Sequence, residues 1–319
     1  MRLLAYAGYR NRQEARVSGR VVILGSALLT SPAPTFSLIV STKGRQHQLY
    51  KLVETLNEQT FRDFEVIIVE QNERPLLEDI LEQGWTFPTR HLHTPTQQGA
   101  SRGRNHGLTF SQAEFVLFPD DDCWYPPTFL ERGLGELRRR NLDALTGRPT
   151  NEEGQTIDGR YEMTAQTITR GNVWTTQIEW LAFWRRELLL QIGAFDEQVG
   201  VGASTPWQSA EGQDLMLRML AAGARCWYDP TLNGHDAGID RRYADDAFIA
   251  KARRYGRGMG FVMRKHRLGA GTPASFLVRS IGGAVLAAAR ARLPLARFYI
   301  ATMLGRVEGL LGRCLGNVD

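Results

Sequence analysis

Three things are scarce in this chain of 319 residues. Cysteine is the first: Cys123, Cys226 and Cys314 are far apart and odd in number, which argues against a disulfide framework and for a reducing compartment. Long apolar runs are the second. The stretch VVILGSALL at 21–29 is too short to span a bilayer, and no convincing cleavage signature follows it. Residues 1–34 therefore read as a poorly specified N-terminal extension. The third scarcity is acid at the C-terminal end, where Lys251–Arg313 holds thirteen Lys or Arg against Glu308 alone. That asymmetry points to an anionic partner, either nucleic acid or a membrane surface. No nucleic-acid module and no aromatic interleave accompany the basic residues, which counts against nucleic acid.

What is present is ordinary globular composition, 43% hydrophobic and 23% charged. FSLIV at 36–40 is an apolar run of buried parallel-strand type. Leu49, Leu52, Val53 and Leu56 then recur at helical spacing, and EVIIV at 65–69 begins a second strand. Strand, helix and strand in this span make one right-handed βαβ unit. The alternation continues through Arg90–His93, a helix over ASRGRNHGLTF, and the strand EFVLFP at 114–119. The pattern predicts an α/β doubly wound sheet over roughly 35–150, with its ligand crevice at the strand C-terminal ends. EGQDLMLRMLAAG reads as a later helix closed by Gly223. The basic end is helical, with Pro273 and Pro294 cutting it into pieces too short and too Arg-flanked to cross a bilayer.

The last of these strands runs directly into Asp120, Asp121 and Asp122. In extended backbone, residues two apart point to the same side, so Asp120 and Asp122 can converge on one cation. Hard divalent ions such as Mg²⁺ take oxygen ligands and keep positions open for substrate phosphates. Gly99 starts a helix whose first turn carries Arg102 and Arg104, an end suited to an anion. Glu211 and Asp214 stand one turn apart and share a helix face.

The ordered set SLIVSTKGR, FEVIIVEQNE, QGASRGRNHGL, FVLFPDDDCWYPP, GAFDE and EGQDLMLRML, followed by His235, resembles the family 2 glycosyltransferases from about Phe36 to His235. Within the family it is most similar to bacterial enzymes of surface-polysaccharide assembly. The resemblance implies a GT-A-type Rossmann-like doubly wound mixed sheet with a C-terminal helical basic appendage. It divides the chain into 1–34, a glycosyltransferase domain at 35–240 and a basic helical region at 241–319. In that domain, 35–150 would be the nucleotide-binding half and 151–240 the acceptor half. It also implies inverting transfer from a nucleotide-diphosphate sugar to a glycan or lipid-linked acceptor, with Mn²⁺ or Mg²⁺ as cofactor.

The resemblance carries roles onto single residues. Asp122 binds the metal under the diphosphate, Asp120 faces the ribose or the metal, and Asp121 completes the motif. Thr42 and Arg45 match the nucleotide-contacting turn, and Arg104 with Asn105 match an Arg-Asn pair beside the nucleotide. Glu70 stands where the family usually has an Asp that contacts the base. His235 completes the metal or diphosphate site. The family commonly reads Glu-Asp at 211–212, and here Gly212 interrupts it, so the general base is Glu211 or Asp214. Trp207, in the Gly-rich loop before Glu211, is the acceptor-site candidate, whereas Trp174, Trp180 and Trp184 read as core. Amphipathic basic helices against anionic lipid account for the C-terminal region and place the protein in the cytoplasm, at the inner face of the cell membrane. Two other functions remain open, a sugar-phosphate nucleotidyltransferase and a non-catalytic nucleotide- or glycan-binding homologue.

Overall fold

The apolar runs of the first half become strands covered on both faces. The computed structural model describes residues 21–24, 33–157, 159–238 and 245–316. In order, β1 (Val21–Leu24), β2 (Phe36–Thr42), α1 (Gln46–Asn57), β3 (Phe64–Glu70), the single turn α2 (Glu78–Leu81), β4 (Thr89–His93), α3 (Ala100–Leu108) and β5 (Phe115–Leu117) form this half. β2 pairs in parallel with β3 and β5, and β3 pairs in parallel with β4. α1 buries Leu49, Leu52, Val53 and Leu56 in the same cluster as Phe36, Leu38 and Val40. Ile39, Ile67 and Val69 point the other way and share a second cluster with Leu108 of α3. Helices thus cover both faces, as the alternation predicts.

α3 sits very close to the sheet. Gly103 and Gly107 are one turn apart, and a Cβ on them would come within 2.2 Å of Ser41 Oγ and 2.3 Å of Ile39 Cγ2, respectively. Two missing side chains on one face let the helix settle there and bring Arg104 down to the ends of the strands.

The second half extends the same sheet. It comprises β6 (Cys123–Trp124), α4 (Phe129–Arg140), β7 (Ala144–Thr150), β8 (Gln166–Thr167), α5 (Val173–Thr176), a 3-10 turn (Glu179–Leu181), β9 (Phe183–Arg185), α6 (Arg186–Gln191), α7 (Glu211–Ala221) and β10 (Cys226–Asp236). The strand order is β1-β4-β3-β2-β5-β9-β7-β10-β6, with β8 on β10. β9 lies antiparallel to both β5 and β7 and joins the two halves. Trp180 and Trp184 are core residues, as expected, and Trp174 meets Phe276 edge-on. Cys123, Cys226 and Cys314 are all free.

Two expectations change. Residues 21–24, read as part of an unspecified extension, pair antiparallel with β4 and add an edge strand; 1–20 and 25–32 lie outside the described residues. The C-terminal region is broken next to its prolines, as expected, but into pieces longer than expected. It forms α8 (Asp246–Lys265), α9 (Gly271–Ala289) and α10 (Leu293–Leu311). Pro273 and Pro294 fall in the first turns of α9 and α10, where a missing N–H costs little. α9 is therefore 19 residues long, and by length and composition alone it is sufficient to cross a membrane.

α8 and α10 pack backbone to backbone, with Gly256 and Gly260 of one against Gly305 and Gly309 of the other. Glu308, fully buried, accepts from Arg253 and from Arg257 Nε at 2.6 Å. The one acid between Lys251 and Arg313 thus holds α8 and α10 together. Asp214 of α7 anchors the region to the domain. Its carboxylate, fully buried, meets Arg218 Nε at 2.9 Å, Lys265 Nζ at 2.7 Å and His266 Nε2 at 2.8 Å.

Burial alone would raise the Asp214 pKa. Hydrogen bonds from His266 and Lys265, with the charges of Arg218 and Lys265, overcome that and hold it far below the usual range. Such a group stabilises the fold fully above its unfolded pKa of about 4, and that contribution fades as pH falls below it. Asp214→Asn is expected to cost roughly 3–5 kcal/mol in urea unfolding at neutral pH, a difference that shrinks as the titration is repeated at lower pH.

Candidate functional site

The three aspartates leave the end of β5 into the crevice and meet two arginines. Asp120 is bound by Arg104 Nη2 at 2.6 Å, and Arg104 Nη1 reaches Glu211 Oε1 at 3.3 Å. Arg104 is 3% exposed. Its buried charge is matched by acids on both sides, and α3 and α7 are tied to the strand end through it. Asp121 turns inward, accepting from Thr42 Oγ1 at 2.7 Å and from Arg45 Nη1 at 3.0 Å. Asp122 pairs with the same Arg45 nitrogen. The Arg45 side chain is 42% exposed and Asp122's is 33%, so this pair faces the open crevice. Burial, together with the like charges of Glu179, Asp122 and Asp121, pushes the Asp120 pKa up against the pull of Arg104.

His235 lies on the strand that pairs with β6, which begins at the residue after Asp122. β10 pairs antiparallel with β6, setting His235 opposite Trp124 and Asp236 opposite Cys123. A register shift between Tyr228 and Asn233, around Pro230, brings His235 alongside Thr150. Its Nδ1 is 3.1 Å from Thr150 Oγ1 and 3.3 Å from Thr150 O. A proton on Nδ1, given to that carbonyl, leaves Nε2 as an acceptor.

A complete cage for a metal is not assembled. Among the described residues no group of three or more His, Cys, Asp or Glu is arranged to hold an ion, so the expected set of Asp120, Asp122 and His235 does not form one by itself. The donor chemistry fits an incomplete site: hard carboxylate oxygens, one of them open to the crevice. Mg²⁺ and similar ions characteristically use one or two carboxylates and take the rest from substrate phosphates and water.

Several expected residues are committed elsewhere. Glu70 is fully buried; its Oε1 accepts from Asn72 Nδ2 and Leu76 N, both at 2.7 Å, and its Oε2 lies 2.8 Å from His91 Nε2. Burial would raise its pKa, but those hydrogen bonds hold it low, and no oxygen is spare for a base. Asn105 clamps Phe195, donating to its carbonyl at 2.9 Å and accepting from its N–H at 3.0 Å. Arg102 pairs with Glu197 at the surface. Asp214, the alternative base, sits in the ion cluster described above rather than at the triplet. Trp207 stacks on Phe261 of α8 at 4.6 Å between centroids, so one ring face is covered.

Two residues absent from the sequence reading enter the site. Glu179, on the 3-10 turn before β9, is half-buried close to Glu211 and Arg104; burial and the Glu211 charge push its pKa up, with Arg104 opposing. Tyr255 of α8 lies within the field of Glu211, Asp120 and Glu179; burial first, then those charges, raise its pKa. Neither carries a local signal, because a turn and a distant helix reach this crevice only through the tertiary fold.

The sheet order and crevice are those of GT-A glycosyltransferases. A mannosyltransferase, PcManGT from Pyrobaculum calidifontis in complex with GDP-Man and Mn²⁺, aligns with a TM-score of 0.62 at 15% identity, over 88% of each chain. An uncharacterized glycosyltransferase of Haemophilus influenzae is 28% identical, covering 58% of this chain and 61% of that protein. The GalNAc(5)-diNAcBac-PP-undecaprenol beta-1,3-glucosyltransferase of Campylobacter jejuni is 32% identical, over 28% of this chain and 30% of that one. The match thus spans about three fifths of the first relative's length and less of the other. Residues 37–193 match the family model described as Glycosyl transferase family 2, and the chain carries a domain of that family.

The geometry assigns Glu70 to holding the β3–β4 edge. Glu70→Gln is expected to lower stability by about 2 kcal/mol while nucleoside diphosphate affinity, measured by calorimetry, stays within twofold.

Proposed function

We propose that this chain is a metal-dependent inverting glycosyltransferase, moving a sugar from a nucleotide-diphosphate sugar to a glycan or lipid-linked acceptor in cell-surface polysaccharide synthesis. The observation that carries this reading is the aspartate triplet at the end of β5, fixed from behind by Thr42 and Arg104 and faced by the exposed Arg45. Asp122 and Asp120, with His235, would hold Mn²⁺ or Mg²⁺, which supplies charge neutralisation for a departing diphosphate. The complex of the Pyrobaculum mannosyltransferase with GDP-Man and Mn²⁺ supports that cofactor class. The undecaprenol in the Campylobacter relative's name supports a lipid-linked acceptor.

The chain's own residues perform distinct tasks. Arg45, partly exposed, exchanges Asp121 and Asp122 for phosphate oxygens, which a guanidinium binds through paired N–H groups. Thr42 keeps Asp121 turned inward when Arg45 leaves. Arg104 stays on Asp120 and Glu211 and keeps the strand end aligned with α7. A carboxylate of the Glu179–Glu211 pair takes the acceptor's proton. The loop 200–210 is held to α8 by Trp207 on Phe261 and by Ser209 Oγ donating to Tyr255 O at 2.6 Å; it borders the acceptor side and limits water there.

The acceptor chemistry agrees with the C-terminal surface. Val278, Ile281, Val285 and Leu286 of α9 are each half or more exposed, and Arg279, Arg290 and Arg292 lie on or just after the same helix. Apolar residues flanked by cations suit peripheral contact with an anionic bilayer. We place the protein in the cytoplasm, against the inner face of the membrane.

With Mn²⁺ present, one class of nucleoside diphosphate at a hundred times its Kd is expected to stabilise the protein by about 2.7 kcal/mol. Thermal-shift measurements should lose that gain in Asp122→Ala. In vesicle co-sedimentation, the protein is expected to favour phosphatidylglycerol over phosphatidylcholine. Val278→Glu with Val285→Glu should weaken this binding at least tenfold, since each buried apolar side chain contributes about 1.5–3 kcal/mol.

A further inference from the structure

The transferase reading needs a carboxylate that can reach an acceptor hydroxyl, and most acids around the triplet are committed elsewhere. Asp120 is held by Arg104, Asp121 by Thr42 and Arg45, and Asp122 by Arg45. Glu211 is 4% exposed and bound to Arg104. It also lies beneath Gly200, where a Cβ would sit 2.9 Å from the Glu211 carboxyl carbon. Glu70 and Asp214 have all their oxygens occupied within the fold. Glu179 differs. Among the described residues it makes no salt bridge, and no side chain donates to its carboxylate. It is half-buried.

Its placement is tied to the glycine after Glu211. A Cβ on Gly212 would lie 2.6 Å from Glu179 Oε2 and 2.8 Å from Glu179 Cβ. The volume of a side chain at 212 is thus filled by a carboxylate from another element. This is the position where the sequence departs from the Glu-Asp pair of the family it resembles. The Gln177 amide points to the same place, 2.9 Å from that Cβ position, and both its ends are buried without a partner. A buried amide with no partner, beside a carboxylate that accepts only from its own backbone N–H, has the donor and acceptor capacity to take a hydroxyl.

We propose that Glu179 is the general base, its carboxylate standing in for a side chain at 212, with the Gln177 amide binding the acceptor hydroxyl beside it. This assignment rests on the transferase reading. The acceptor O–H gives its proton to Glu179 as its oxygen bonds to the anomeric carbon. The bond from that carbon to the diphosphate oxygen breaks, and its electron pair leaves with the nucleoside diphosphate. Glu179 then returns the proton to water. Glu211 is a positioning residue that acts through Arg104.

The test uses donor hydrolysis, in which water replaces the acceptor. Nucleoside diphosphate release is followed from UDP-glucose, UDP-N-acetylglucosamine and GDP-mannose with Mn²⁺ in the full chain. Glu179→Gln and Glu179→Ala should each lower kcat about 100-fold or more, with the thermal shift from nucleoside diphosphate and Mn²⁺ unchanged. Gly212→Asp alone should lower Tm through the clash with Glu179. Glu179→Ala with Gly212→Asp should recover Tm and at least tenfold of the rate lost in Glu179→Ala, because the second carboxylate then enters the vacated volume. A Glu179→Gln variant with wild-type turnover, alongside an inactive Glu211→Gln, would overturn the assignment and leave the transferase reading standing. Failure of the wild-type protein to turn over any of the donors while nucleotide still binds would count against both.

Discussion

Arg104 is the interaction on which the site depends. A guanidinium buried to 3% exposure is tolerable only between acids, and Asp120 and Glu211 provide them from a strand end and a helix start 91 positions apart. Two glycines let α3 lie close enough to the sheet to bring that charge to the strand ends. Without the ion pairs, Asp120 would lose its orientation and α7 its first-turn contact. Arg45 makes the contrast. It binds the same triplet from the solvent side, exposed enough to exchange partners. One arginine is structural and the other is replaceable, although both look alike in the sequence.

The parts of the fold visible in the sequence are those governed by short-range periodicity. The run at 36–40, the helical spacing of Leu49 to Leu56 and the strand before the aspartates each report a local pattern, and the sheet follows from them. Asp120–Asp122 could be placed in the crevice because strand ends locate ligands in this architecture. What stayed hidden depends on pairings across long separations. Glu70 looked like a ligand contact until His91 and Asn72 occupied its oxygens. Asp214 shared a helix face with Glu211, yet Lys265 and His266 from α8 claim it. Glu179 gave no signal because a single turn has no period, and Gly212 looked like a loss rather than a vacancy filled from elsewhere.

The basic C-terminal region does more than carry charge. Glu308, the one acid between Lys251 and Arg313, joins α10 to Arg253 and Arg257 of α8, which pairs two of the thirteen cations in that span. Arg279, Arg290 and Arg292 lie on or just after α9, whose apolar residues Val278, Ile281, Val285 and Leu286 are exposed. The same helix that receives Asp214 also receives Trp207 and brings Tyr255 toward the crevice. In the proposed function, the helix that would touch a bilayer, α9, packs with α10, and α10 packs on the α8 that borders the crevice.

In the proposed transferase, Arg104 is fixed and Arg45 exchangeable above a triplet that would receive a metal-bound diphosphate. A crystal structure with nucleoside diphosphate and Mn²⁺ tests it most directly. The ion is expected against Asp122, with Arg45 turned from Asp121 and Asp122 onto phosphate oxygens and Arg104 unmoved between Asp120 and Glu211. A nucleotide bound elsewhere, with Arg45 still bridging the two aspartates and no ion beside them, would contradict it.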